Sequence, residues 1–245
     1  MKKIIIVHQH LGLGDHIDCN GLIRSLLKKY DEVRLFVKKK NHFTISKMFR
    51  DEPRIVLVPI DTNKENEYKL IVDYCNSIEK TEGVQYFFIQ IGHSFYPKNP
   101  DPTRNCWEYF YEQVGINLDE KRDSFQYHND NEEEDRVFKK LNPDNKPYAF
   151  VHDDPSRGFE ADTESVSPDL LIIKNDMSEN MLDFSKIIQN ADEVHCMESS
   201  FKSLVELLPT KGKLFFHDFR GHPLGKSFKE WEIVHYDKVV PTTDY

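Results

Sequence analysis

The sequence predicts an α/β protein made of two Rossmann-like domains whose parallel sheets face a cleft. Three observations carry that reading. Short runs of branched apolar residues alternate with stretches of helical period along the chain. An acidic segment followed by two prolines interrupts the alternation near the middle. The 245 residues suit one large domain or two small ones, at roughly 100–200 residues per domain.

Taken in order, Ile4-Ile5-Ile6-Val7 is a strand buried on both faces, because four consecutive branched residues leave no polar face. A loop from His8 to Asp15 leads into a helix carrying Ile17, Leu22, Ile23, Leu26 and Leu27 at helical spacing. Strands follow at 33–37, 55–58 and 84–91, with helical patterns around 43–49 and 68–78 between them. Strand–helix alternation at this spacing implies right-handed crossovers and a parallel sheet. Cys106-Trp107-Glu108-Tyr109-Phe110-Tyr111 is an aromatic-rich helix that packs the first domain rather than stacking a sugar. The pattern resumes with strands at 148–152 and 170–173, a helix at 183–190, a strand at 193–196, a helix at 199–208 and a strand at 213–217. Between the halves, Asn129-Asp130-Asn131-Glu132-Glu133-Glu134-Asp135 and then Asn142-Pro143-Asp144-Asn145-Lys146-Pro147 read as a junction. The boundary is placed at 140–147, giving domains 1–142 and 143–245, with Arg136–Leu141 as the last helix of the first half.

Composition narrows the function classes. With 33 Lys plus Arg against 42 Asp plus Glu the net charge is −9, and the pI is near 5.7. That argues against nonspecific nucleic-acid binding. Lys38-Lys39-Lys40 is read as a solvated loop end. Aromatics at 12% suffice for a core, so global disorder is excluded. No run of 18 apolar residues offers a membrane span. The basic-then-apolar start meets His8-Gln9-His10 too early for a secretory signal. Cys19, Cys75, Cys106 and Cys196 form no C-x-x-C pair, so reduced thiols and a cytoplasmic setting are expected.

Parallel sheets bind ligands outside the carboxyl ends of their strands, so the informative segments follow strands. After the first strand comes His8-Gln9-His10-Leu11-Gly12-Leu13-Gly14-Asp15-His16. Gly12 and Gly14 allow a sharp turn and close approach to a ligand. The third glycine of a dinucleotide fingerprint and the G-K-[ST] of a P-loop are both missing. What remains is the carboxylate of Asp15 at a helix N-terminus, read either as a cap or as a general base. The helix dipole would favour its anion, so it is expected ionised at neutral pH. Asp18, one turn on, is the reserve base. His8, His10 and His16 crowd the loop without a metal-ligand spacing, so no metal is expected.

The second segment, Val194-His195-Cys196-Met197-Glu198-Ser199-Ser200-Phe201-Lys202-Ser203-Leu204, runs from a strand into a helix. Two serines beside free backbone amides either cap the helix, with Glu206 solvated, or cradle a phosphate. Lys202 in the first turn suits an anion held there.

Together, Leu13-Gly14-Asp15-His16-Ile17 and Glu198-Ser199-Ser200-Phe201-Lys202-Ser203-Leu204 resemble the two motifs of heptosyltransferase-like glycosyltransferases with the GT-B fold, one per domain. The resemblance implies a compact GT-B enzyme in which Asp15 is the base that deprotonates an acceptor hydroxyl. Gly12, Gly14, His16 and Asp18 would border it on the acceptor side. Glu198 would contact donor-sugar hydroxyls, and Ser199 and Ser200 the donor phosphates. Two departures stand out: Ser203 occupies the position of the family's histidine, with Lys202 beside it, and the acidic residue is Glu rather than the commoner Asp. The loop Val151-His152-Asp153-Asp154-Pro155-Ser156-Arg157-Gly158 would border the donor, with His152 lining it and Arg157 facing the pyrophosphate, as a guanidinium can bind two phosphate oxygens. The adjacent Asp153 and Asp154 do not make the D-x-D of metal-dependent GT-A enzymes. After the last strong strand His217 or Arg220 would touch the donor, and His93 and Arg104 would line the acceptor side.

The reading is therefore a metal-independent, inverting glycosyltransferase that takes a nucleotide-sugar donor and a glycan or glycoconjugate acceptor, as in building a surface polysaccharide, with no cofactor. The alternative is a catalytically inactive GT-B-like module that binds a nucleotide sugar or glycan; Ser203 favours it. A nucleotide-sugar epimerase or reductase is disfavoured by the missing G-x-G-x-x-G and Y-x-x-x-K.

Overall fold

The computed structural model describes residues 1–63, 65–93, 97–101, 103–155, 158–221 and 224–236. The chain divides into two units, Met1–His128 and Asn129–Tyr245.

The first unit is built on four strands, β1 (Lys2–His8), β2 (Glu32–Lys38), β3 (Ile55–Ile60) and β4 (Val84–Gln90). They lie in the order β3-β2-β1-β4 and every pairing is parallel, with Ile5 opposite Val33 and Phe87. Ile4 to Val7 are buried, as an apolar central strand requires, and each such side chain contributes roughly 1.5–3 kcal/mol by leaving water. Among the described residues its helices are α1 (Leu13–Asp18), α2 (Asn20–Leu26), α3 (His42–Phe49), α4 (Glu67–Ser77), α5 (Cys106–Gln113) and α6 (Glu120–Asp123). The aromatic helix α5 packs this unit, with Trp107, Phe110 and Tyr111 buried.

Where the sequence implied one helix after the glycine loop, the structure has two, and the first begins earlier, at Leu13. The cause of the break is Tyr111. Its hydroxyl accepts from the Leu22 amide at 3.0 Å and donates to the Asp18 carbonyl at 3.1 Å. In an uninterrupted helix those two groups would bond each other, so the hydroxyl is inserted into the ladder. Gly21 serves a close approach: a Cβ there would lie 2.0 Å from the Glu120 carbonyl oxygen, so α2 and α6 meet backbone to backbone only because position 21 has no side chain.

The second unit contains α7 (Asn131–Leu141), β5 (Tyr148–His152), β6 (Leu171–Lys174), α8 (Ser185–Asn190), β7 (Glu193–Met197), α9 (Ser200–Leu207), β8 (Lys213–Asp218) and β9 (Glu232–His235). Its five strands run β6-β5-β7-β8-β9, again with every pairing parallel. The edge strand β9 escaped the sequence reading because it is short, half polar and largely exposed. The division between the units falls after His128, ahead of the 140–147 expected from sequence. The acidic run is the start of α7, where the Asp130 side chain accepts from the Glu133 amide and three glutamates sit in the first turn. Carboxylates there suit the helix dipole, as Lys139 and Lys140 do at its other end. Arg136 pairs with Glu179, Lys140 with Asp176 and Lys186 with Asp135, and Val137 is buried. Helix α7 thus opens the second unit instead of closing the first.

Candidate functional site

In the first unit, β1 delivers the chain to Gly12, the N-cap of α1, whose backbone is extended at φ −68° and ψ 149°. Neither Gly12 nor Gly14 adopts a positive φ, so the turn does not need glycine for that reason. Gly12 leaves room for the Asp15 carboxylate to fold back over it: a Cβ at 12 would lie 2.5 Å from Asp15 Oδ2 and displace that carboxylate. The Gly12 amide donates to that carboxylate. Asp15 is therefore the third helical residue reaching back to the cap, which is half of a capping box.

This placement corrects the expected ionisation. Burial, and then the negative charge of Asp18, push Asp15 up to about 7, against the smaller opposing pulls of the Gly12 amide and Lys38. Desolvation outweighs the favourable helix N-terminus. Asp15 is half-buried, and its carboxyl is poised near neutrality rather than fully ionised.

Two neighbours expected on the acceptor side are turned inward. His16 is buried, with Nδ1 2.8 Å from Gln9 Nε2. Burial, then Lys38, lower it to about 3, which keeps the ring neutral. Asp18 is buried too, its Oδ1 2.7 Å from the Lys121 ammonium, which itself sits 3.9 Å from the centre of the Trp107 ring. That ion pair fastens α1 to α6, so Asp18 acts on Asp15 through its charge and is not a spare base. His8 and His10 leave the loop toward the end of β4, where they meet His93 at ring-centroid distances of 4.1 and 4.8 Å. Arg104 is engaged on α5 by Glu112 at 2.9 Å and by the Tyr109 ring.

In the second unit the strand ends carry a different chemistry. Ser199 is the N-cap of α9: its Oγ accepts from the Lys202 amide at 3.4 Å and donates to the Met197 carbonyl at 3.2 Å. Its hydroxyl is thereby committed to the cap. Ser200, the first helical residue, is half-buried and adds a hydroxyl beside the amides of the first turn. Lys202 does not point at those amides. Its Nζ lies 3.6 Å from Glu206 Oε1, one turn along, and 5.9 Å from the centre of the Phe216 ring. Glu206 is not solvated either; it is buried and accepts from Ser227 Oγ, the Phe228 amide and Trp231 Nε1.

The basic group beside Glu198 is Arg220. Glu198 is exposed and meets Arg220 Nη1 at 3.1 Å, while the guanidinium lies 5.3 Å from the centre of the Phe159 ring. Arg220 follows the end of β8, the neighbour of β7, so topology brings it to the start of α9. His152, at the end of β5, is nearly buried, with Nδ1 2.8 Å from Asn175 Oδ1 and its ring against Phe201. Asp154 and Phe159 form an isolated bridge just beyond it; Arg157 lies outside the described residues.

His217, expected to touch the donor, has both ring nitrogens engaged inside the protein. It is buried inside a chain of hydrogen bonds whose proton positions follow from chemistry. Burial works against ionisation of Glu193, yet the Ser167 hydroxyl and amide, with His195, hold it below the usual carboxylate range. A carboxylate only accepts, so His195 Nε2–H donates to Glu193 at 3.3 Å, and His195 Nδ1 must accept from His217 Nε2–H at 2.9 Å. His217 Nδ1 then accepts from the Tyr236 hydroxyl at 2.6 Å, which itself accepts from the Asp162 amide at 2.9 Å. Both ring nitrogens of His217 are occupied, and burial, then His195, lower it to about 4. The chain joins β7 and β8 to the segment after β9, a structural task that residue type alone did not disclose.

No protein-family model matches the sequence, and no curated protein matches it either. Solved structures do match. A glycosyl transferase of family 9 from Veillonella parvula aligns over 96% of this chain and 87% of its own, with a TM-score of 0.55 at 11% identity. The ADP-heptose LPS heptosyltransferase II of E. coli aligns over 99% of this chain and 95% of its own, with a TM-score of 0.52 at 7% identity. With its two parallel sheets and the helices that flank them, the chain has the heptosyltransferase-like GT-B fold.

Proposed function

We propose that the protein is a glycosyltransferase that moves a sugar from a nucleotide-sugar donor to a hydroxyl of a glycan acceptor, with inversion. Asp15 carries the proposal. A carboxylate held beside a helix N-terminus after the first strand, with its pKa raised to about 7, has the proton affinity a general base needs at neutral pH. In the proposed step the acceptor oxygen bonds to the anomeric carbon as its proton passes to Asp15. The bond from that carbon to the donor phosphate breaks, and the nucleoside diphosphate leaves. Ser200, the first-turn amides of α9 and Arg220 would meet the charge of the leaving phosphate, so the transfer as proposed calls for no metal at that position. Glu198, exposed beside Arg220, would be left to meet sugar hydroxyls.

The raised proton affinity of Asp15 supports this reading over a nucleotide-sugar binding module without turnover, which would share the fold. The module remains the second reading because Ser203 replaces a histidine and Lys202 is turned to Glu206. A thermal-shift series with UDP, GDP, ADP, CMP and dTDP sugars selects the donor; about 100 Kd of ligand adds roughly 2.7 kcal/mol. Asp15→Asn then decides between the readings. A transferase loses about 10²–10⁴-fold in turnover while its donor shift is kept, whereas a protein with no turnover before the substitution is the module.

A further inference from the structure

Three residues far apart in sequence meet at the carboxyl end of the first sheet. His8 is the last residue of β1, Glu67 the first residue of α4, and His93 lies just beyond β4. One ligand atom from each lies within 4.8 Å of the others. His8 Nε2 is 2.9 Å from Glu67 Oε1, and His8 Nδ1 is 3.1 Å from the side-chain amide of Gln90.

His93 is held with unusual care. Its φ is +54°, a left-handed conformation uncommon outside glycine. Its backbone amide donates to His10 Nε2 at 3.1 Å. The preceding Gly92, at φ +73°, has no room for a side chain, since a Cβ would lie 2.7 Å from the Phe110 ring and 2.8 Å from His10 Nε2. The ring of His93 donates to the Gln9 carbonyl. Its Nε2 is buried and has no hydrogen-bond partner among the described residues. Since Nε2 is the unpartnered nitrogen, Nδ1–H is the donor, and Nε2 presents a lone pair into the cluster. A buried lone pair without a donor costs free energy that a ligand would recover.

We propose that His8 Nε2, His93 Nε2 and the Glu67 carboxylate bind a divalent transition-metal ion of the zinc class. Two imidazoles and one carboxylate are a zinc-type donor set, and three protein ligands leave a fourth position for water or a ligand oxygen. With bonds near 2.0–2.1 Å the donors would sit roughly 3.3 Å apart, so binding draws the widest pair together by about 1.5 Å at most and spreads His8 and Glu67 slightly from 2.9 Å. His8 must carry its proton on Nδ1 in that state, with the Gln90 amide turned so that its oxygen accepts it. This partner is the kind that fixes the orientation of a ligating histidine. The ion would tie α4 to β1 and β4, and the inference does not depend on the reaction proposed for Asp15.

Titrating the full-length protein with Co²⁺, and with Zn²⁺ by calorimetry, tests it without any activity assay. One ion per chain is expected, with visible d–d absorption and no thiolate charge-transfer band. His93→Ala and Glu67→Gln should each weaken binding at least about ten-fold, while His128→Ala, at an exposed histidine elsewhere, should not. Glu67→Gln keeps a hydrogen-bonding group for His8, so it decides the matter should His93→Ala fail to fold. Absence of stoichiometric binding, binding that survives Glu67→Gln, or a thiolate band overturns the proposal.

Discussion

Two helices start just past the end of an inner strand, α1 after β1 and α9 after β7, yet are capped by opposite chemistry. At α1 the cap position is a glycine, and a carboxylate three residues on folds back to its amide. At α9 the cap is a serine hydroxyl, and the flanking acid, Glu198, stands in solvent against Arg220. The first arrangement spends the helix N-terminus on an internal anion and, by burying it beside Asp18, yields a group that accepts a proton near neutral pH. The second leaves the N-terminus uncharged and sets a guanidinium beside it, which suits an external anion. The start of a helix after an inner strand thus suits the proposed proton transfer in one unit and the proposed anion binding in the other, according to whether the capping group carries charge.

The largest effect that tests this contrast is in pH. If Asp15 is the base, kcat/KM rises about ten-fold per pH unit up to about 7 and then levels, so activity at pH 5 is about 100-fold below the plateau. The same shift has a stability signature. The folded pKa, near 7, lies above the unfolded value near 3.8, so the proton is bound more tightly in the folded state. The stability this contributes is complete below about pH 3.8 and is lost as pH rises through about 7. Asp15→Asn removes the dependence. The stability difference between variant and wild type, followed by denaturant melts from pH 4 to 8, should move in the variant's favour across that window. A flat difference would mean that Asp15 is an ordinary ionised cap.

Next in size is Arg220→Ala. A charge-assisted hydrogen bond contributes about 1.5–3 kcal/mol, so loss of the guanidinium should weaken nucleotide binding at least about ten-fold. Asp15→Asn should leave that affinity unchanged. Calorimetry with the nucleotide selected by thermal shift separates the two. Equal losses in both variants would erase the division of labour between the helices.

How much of this was legible beforehand depends on how local each feature is. The strand of Ile4 to Val7, the Asp15 position and the Ser199 cap follow from runs of adjacent residues and stand where the sequence placed them. The charge state of Asp15 was misjudged because a helix N-terminus is visible in sequence, whereas the burial and the direction of Asp18 that override it are not. Tyr111 read as one more core aromatic; only its hydroxyl, arriving from a helix 89 residues away in sequence, splits α1 from α2. The engagement of His217 was hidden for the same reason, since its partners come from β7 and from beyond β9. Glu67 carried no signal at all, because a ligand set divided among β1, α4 and the segment after β4 has no spacing to read.

The smallest effect sharpens the comparison most directly, because it asks what the α9 cap does when its hydroxyl is gone. Ser199→Ala removes the acceptor for the Lys202 amide and the donor to the Met197 carbonyl. An N-cap of this type contributes about 1 kcal/mol, so the midpoint of denaturant unfolding should fall by that amount with an unchanged slope. If Ser199 is only a cap, nucleotide affinity stays the same, because the first-turn amides that would meet a phosphate are still present. Saturating nucleotide then stabilises variant and wild type equally, so the deficit of about 1 kcal/mol persists unchanged in the complex. A loss of affinity larger than the loss of stability would instead give the Ser199 hydroxyl a direct contact with the phosphate. The caps of α1 and α9 would then both be reactive groups, and the contrast between them would reduce to the sign of what they bind.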